Sequence, residues 1–159
     1  MPSVKKLKTA INTAMEDYPP DVDKDGNVTA TFCNLALRDI CQEFGYVGFN
    51  NMMANEIVKK LRDDWAFALV DEATAQKLAL DGQLVIAGCM GEPHGHVACV
   101  YPDSRPMLAS NKWGGIECPW IGNVGMGNED HVNVIVAANY AFRQRPKYWA
   151  YISNPDVGL

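Results

Sequence analysis

The chain lacks a long hydrophobic run. No apolar stretch of its 159 residues reaches the roughly 18 to 20 residues that a membrane-spanning helix needs. The first residues, Met1 to Lys6, also lack the apolar segment of a signal peptide, so we expect synthesis in the cytoplasm. Basic residues are scarce, with 14 Lys and Arg against 19 Asp and Glu and a net charge of −5. Because phosphate binding requires a concentrated basic surface, nucleic acid is not an expected partner.

Paired cysteines are missing as well. The five cysteines form no CxxC pair and leave an odd number, which argues against a disulfide framework or a zinc site. The apolar pattern around Cys41 is helical, and Cys99 falls in an alternating strand pattern. We therefore expect Cys41, Cys89, Cys99 and Cys118 to be buried and unreactive, which leaves Cys33 as the cysteine in an unusual position.

What the chain does have is the composition of a globular protein, 48% hydrophobic and 21% charged, and we expect one domain over residues 1–159. Helical spacing of apolar residues comes first, and short strand-like segments follow Gly82. This order predicts an α+β fold in which N-terminal helices pack on a C-terminal antiparallel sheet. The predicted helices cover 4–16, 33–44, a segment around 53–61 and 72–80, a loop covers 21–31, and the predicted strands cover 83–87, 96–101, 107–112, 120–124 and 148–152.

Two segments favour nucleophilic chemistry. Cys33 begins a predicted helix, where backbone N–H groups and the helix dipole lower the pKa of a thiol. His96 lies in a strand-like run, and a rigid strand suits a general base because proton transfer needs an approach of about 3 Å. A buried core thiol is an equally good interpretation of Cys33, and a simply hydrogen-bonded sheet histidine is the alternative for His96.

The same segments carry a family resemblance. Residues 31–36 (TFCNLA) at a helix start, then 81–86 (DGQLVI) and 95–98 (GHVA), resemble the CHAP and NlpC/P60 peptidoglycan hydrolases of the papain-like superfamily. The resemblance spans about residues 28–125 and implies a papain-like fold with Cys33 as nucleophile and His96 as base.

The resemblance also implies a third residue that orients the imidazole. Asn111, in a segment similar to the Asn-Ser-Trp-Gly of papain-like proteases, is the first choice, and Trp113 would shield its hydrogen bond. Ser110, Glu117 and Asn123 are alternates, and family members often place Glu or Asn on the strand that carries Glu117 and Asn123. Asn27 is a candidate oxyanion donor, because papain-like proteases place a Gln about six residues before the cysteine.

The loop before Cys33 contains a calcium-like pattern. Asp21, Asp23 and Asp25 occupy positions 1, 3 and 5 of an EF-hand loop, and Gly26 occupies position 6. Position 12 is Phe32 rather than a bidentate Glu, so a solvated Asp/Gly turn is the alternative. Some CHAP domains bind calcium just ahead of the cysteine, and we expect no other cofactor.

Together these features predict a cysteine amidohydrolase that acts on bacterial peptidoglycan, as an endopeptidase or an N-acetylmuramoyl-L-alanine amidase. Lacking a signal peptide, it would reach the wall through phage lysis or as an antibacterial effector of a specialised secretion system, with a cognate inhibitor or immunity protein as a partner. Two alternatives stay open: a non-catalytic module that binds wall fragments or a protein partner, and a papain-like protein deamidase or acyltransferase.

Overall fold

The computed structural model describes residues 2–125, 128–134 and 141–152. Four helices and ten strands are present in these ranges. The helices are α1 (Val4–Asp17), α2 (Cys33–Glu43), α3 (Ala54–Asp63) and α4 (Glu72–Leu80). The strands are β1 (Asp21–Val22), β2 (Val28–Ala30), β3 (Phe67–Val70), β4 (Val85–Cys89), β5 (His96–Val100), β6 (Leu108–Ala109), β7 (Glu117–Cys118), β8 (Trp120–Asn123), β9 (Glu129–Asn133) and β10 (Lys147–Tyr151).

The central sheet has six strands in the order β3-β10-β4-β5-β8-β9, and every neighbouring pair is antiparallel. The fold is therefore α+β with an antiparallel sheet, as the sequence predicts. The predicted division into a helical half and a strand half is wrong for β3, which lies between α3 and α4 in the chain and pairs with β10.

The helices begin and end at residues that carry local capping signals. Ser3 accepts a hydrogen bond from the Lys6 amide and begins α1, and Asp71 accepts one from the Thr74 amide and begins α4. Gly45 follows α2 with a φ of +88°, the left-handed conformation that a glycine adopts at a helix C-terminus. The predicted bounds of α1, α2 and α4 are confirmed to within one residue.

Two small sheets depart from the prediction. The predicted loop 21–31 contains the hairpin β1-β2, and the predicted strand 107–112 is reduced to β6, which pairs with β7. Trp65 and Leu69, beside and within β3, are 71% and 63% exposed. Phe67, between them, is buried.

The core lies between the helices and the sheet. Cys41, Cys89, Cys99 and Cys118 are all buried and unpaired, as predicted. α1 approaches β8 so closely that a Cβ on Gly122 would lie 2.2 Å from the Ile11 Cγ2 atom, so this position requires glycine. None of the described helices is long and apolar enough to cross a membrane.

Candidate active site

An open cleft of about 720 Å³ lies where α2, α3 and β5 begin. Cys33, from the first turn of α2, and His96, the first residue of β5, both line it. The structure thus brings together two residues that are 63 positions apart in sequence. The remaining walls come from β2, from the loop before β5 and from Gly125.

Cys33 occupies the first helical position of α2. The preceding Phe32 supplies no side-chain cap, so the helix N-terminus presents its backbone amides rather than a capping oxygen. The amides of Val97, Asn34 and Cys33 itself lower the pKa of the thiol, but burial of the sulfur has the larger effect and raises it overall. The sequence-based expectation of a net lowered thiol pKa therefore differs from the structure, because a helix terminus is visible in sequence and burial is not.

The His96 ring is held from two sides. Its Nε2 lies 2.7 Å from Oδ1 of Asn123, and the ring packs edge-on against Phe142, with the ring centroids 4.8 Å apart. In this orientation of the Asn123 amide the oxygen faces the ring, and because an amide oxygen only accepts hydrogen bonds, the matching tautomer has its proton on Nε2 and its lone pair on Nδ1. Burial lowers the pKa of His96 to about 4, although the hydrogen bond to Asn123 Oδ1 opposes this shift. The histidine is neutral at pH 7 and able to accept a proton at Nδ1.

Asn123 reaches this ring because of strand register. Cys99 of β5 pairs with Gly122 of β8. Continuing that register places Asn123 opposite Ala98, and Ala98 is on the same face of β5 as His96. The Asn123 side chain is fully buried, and its position follows from the sheet rather than from any local motif.

A second asparagine fixes the segment that follows Asn123. The Asn128 side-chain nitrogen donates to the carbonyl oxygens of Met15 (3.0 Å) and Tyr18 (2.6 Å), and its oxygen accepts from the Gly125 amide (2.9 Å). This ties the cleft wall at Gly125 to the end of α1. A Cβ on Gly125 would lie 3.7 Å from the His96 Cε1 atom, so the wall lies directly against the ring.

The structure places the candidates for the third residue in different surroundings. Asn111 is exposed in the turn between β6 and β7, and Glu117 is exposed on β7. Trp113 lies in the same turn, where its amide donates to Ser110 Oγ. Asn123, kept only as an alternate in sequence, takes the position beside the imidazole, and Phe142 provides the aromatic contact expected of Trp113.

The oxyanion and calcium expectations also change. The Asn27 side-chain amide donates to Asp23 Oδ2, inside the β1-β2 turn, and is not among the residues described as lining the cleft. Oδ1 of the same Asp23 accepts from the amides of Asp25 and Asn27, both at 2.9 Å. Asp21 belongs to strand β1. Within the described ranges, no three acidic, histidine or cysteine side chains are grouped so that they could hold a metal ion. The loop is a hydrogen-bonded hairpin turn.

The loop before β5 forms the opposite rim. Asn55, from the first turn of α3, donates to the Gly91 carbonyl (2.9 Å) and accepts from the Gly91 amide (3.1 Å). His94 is exposed in this loop, two residues before the buried His96. The rim is therefore fixed to α3, and the two histidines have different environments. Sequence inspection gives no signal for Asn55, because it lies 36 residues from its partner.

No protein-family model matches the chain, and no curated protein shows significant similarity to it. The chemistry of the cleft has to be inferred from its residues: a cysteine at a helix N-terminus, a neutral strand histidine, and an asparagine on the far nitrogen of that histidine. This set can generate and orient a sulfur nucleophile.

Proposed function

We propose that the protein is a papain-like cysteine amidohydrolase, with Cys33 as nucleophile, His96 as general acid and base, and Asn123 as the residue that positions the imidazole. The observation that carries this proposal is the 2.7 Å contact between His96 Nε2 and Asn123 Oδ1 at the wall of the cleft that also contains Cys33. We propose Nδ1, the ring nitrogen outside that contact, as the base that takes the proton of the thiol.

The first half-reaction is acyl transfer to sulfur. The Cys33 sulfur attacks the amide carbon as the thiol proton moves to His96 Nδ1. The π electrons of the carbonyl move to its oxygen, which becomes an oxyanion. The backbone amide of Cys33 is placed to donate to that oxygen. The C–N bond then breaks, the imidazolium returns its proton to the leaving nitrogen, and an amine and a Cys33 thioester result.

The second half-reaction releases the acid. His96 takes a proton from water as the water oxygen attacks the thioester carbon, and the C–S bond then breaks while the imidazolium returns that proton to sulfur, which gives a carboxylic acid and the Cys33 thiol. Burial favours the neutral forms of both Cys33 and His96. We therefore propose that the resting pair is thiol and imidazole, and that charge develops only when substrate enters.

The substrate class rests on the family resemblance. Peptidoglycan contains the amide bonds cut by CHAP and NlpC/P60 hydrolases, and we propose it as the substrate, reached by phage lysis or by specialised secretion. The test is to incubate purified peptidoglycan with the protein and analyse the soluble products by mass spectrometry. New peptide termini would identify an endopeptidase, and free peptides with intact sugar chains would identify an amidase. Walls of unchanged composition would reject the proposal.

A non-catalytic binding module is the second candidate. The raised pKa of the Cys33 thiol favours it, because an activated cysteine usually shows the opposite shift. Binding of soluble wall fragments by a protein that releases no product from them would support this alternative. Product formation would exclude it.

A further inference from the structure

Strand β2 forms one wall of the cleft. Val28, Thr29 and Ala30, the three residues of β2, all line it, as does the following Thr31. The β1 residues are not among the described lining residues. The hairpin therefore presents its second strand, and not its first, to the space in front of Cys33.

In the described part of the chain, this strand is paired along one edge only. Within residues 2–125, 128–134 and 141–152, β2 pairs only with β1. Exposed edges of β-sheets usually carry charges or proline, which prevent another strand from adding to them. The sequence of residues 28–31 is Val-Thr-Ala-Thr, without a charge or a proline. The charged residues of the hairpin lie instead in β1 and the turn, at 21 and 23–25.

We propose that the cleft binds its substrate as an extended peptide that adds to β2 as a third strand. The main-chain groups of β2 would supply hydrogen bonds, and alternate substrate side chains would point into the cleft. Ala30 precedes Cys33 by three residues, which is at most about 10 Å of extended chain. The cleaved amide would therefore lie within about 10 Å of the end of the segment paired with β2.

This inference rests on the proposed function and narrows it. Recognition through β2 requires peptide backbone on at least one side of the cleaved bond, and the stem peptide meets this requirement for an endopeptidase and for an amidase. The required substrate is a peptide with free main-chain N–H and C=O groups. The hairpin, expected from sequence to hold calcium, becomes a substrate-binding element.

The direct test uses the Cys33→Ala variant and a stem peptide freed of its sugar, measured by calorimetry and by amide hydrogen exchange. We expect binding, together with slower exchange at residues 28–31. The same peptide with its backbone nitrogens methylated should bind about 2- to 10-fold more weakly for each hydrogen bond lost. Equal binding of both peptides, unchanged exchange at 28–31, or no binding would overturn the proposal.

A matched pair of hairpin variants tests the same point from the protein side. Thr29→Lys puts a charge on β2, which lines the cleft, and removes the hydrogen bond from Thr29 Oγ1 to the Asp21 carbonyl oxygen, whereas Val22→Lys puts a charge on β1, where the residue is already 57% exposed. We expect Thr29→Lys alone to weaken peptide binding at least tenfold, with both variants melting like the wild type. Equal loss in the two variants, or loss in neither, would contradict the strand-addition model.

The two proposals fail in different ways. Wild-type protein that cuts peptidoglycan while Cys33→Ala binds both peptides equally would overturn strand addition and leave the hydrolase intact. Protein that cuts nothing, but whose β2 amides are protected by the stem peptide, would overturn the hydrolase and support peptide binding at β2.

Discussion

The buried state of His96 predicts that the fold loses stability as the pH falls. His96 is 7% exposed, and burial lowers its pKa to about 4, whereas an unfolded histidine has a pKa of about 6.5. Well above pH 6.5 the imidazole is neutral in the folded and unfolded states, so its ionisation does not change the free energy of unfolding. As the pH falls through 6.5 toward 4, the unfolded chain takes up the proton first, so folding stability declines across that window.

The size of this effect follows from the two pKa values. A difference of about 2.5 pKa units corresponds to a total loss of about 3 kcal/mol once the pH is below 4. Between pH 7 and pH 5 the same two values give a loss of about 2 kcal/mol. For a chain of this length, that loss would lower Tm by about 4 to 8 °C.

Urea unfolding at pH 7 and pH 5 measures the effect, with His96→Gln as the test and His94→Gln as the control. We expect the pH-dependent loss of the wild type to shrink by about 2 kcal/mol in His96→Gln. The exposed His94 should make no such difference. If wild type and His96→Gln lose the same stability between the two pH values, the imidazole is not held neutral by burial.

Three further predictions concern the surroundings of the site. Asn123→Ala should lower kcat about 10- to 100-fold, because the imidazolium form of His96 loses the hydrogen bond that stabilises it. Asn111→Ala should keep full activity. Turbidity loss of purified walls measures both variants. Asn128→Ala removes three hydrogen bonds and should cost about 1 to 3 kcal/mol in urea unfolding, with a lower kcat. Chelation by EDTA should leave Tm unchanged, because the Asp23 carboxylate is already occupied by the turn; a fall in Tm would restore the calcium hypothesis.

Local signals allowed the helices to be predicted closely. α4 has the bounds expected of it because Asp71 begins it and Gly82 follows it within a short span of sequence. Strand β3 is not predicted from the sequence, because it is held by pairing with the distant strand β10, where Phe67 lies opposite Tyr151. Such pairing between distant segments leaves no trace in the periodicity of a four-residue strand.

Some residues of the candidate site have local sequence signals, and others are placed only by the tertiary structure. Cys33 and His96 stand out because each has a local context, a helix start and a strand. Asn123 depends on the register between β5 and β8, and the β6-β7 segment separates these two strands in the chain. The thiol pKa depends on burial, which is a tertiary property, so the helix dipole alone gave the wrong direction.

The nucleophilic role of Cys33 is tested most directly by comparing wild type, Cys33→Ala and Asn111→Ala on purified peptidoglycan, with new amine and carboxyl termini counted by mass spectrometry. We expect products from wild type and Asn111→Ala, and none from a Cys33→Ala variant that melts at the wild-type temperature. Products released by folded Cys33→Ala at the wild-type rate would contradict the assignment of the Cys33 sulfur as the nucleophile.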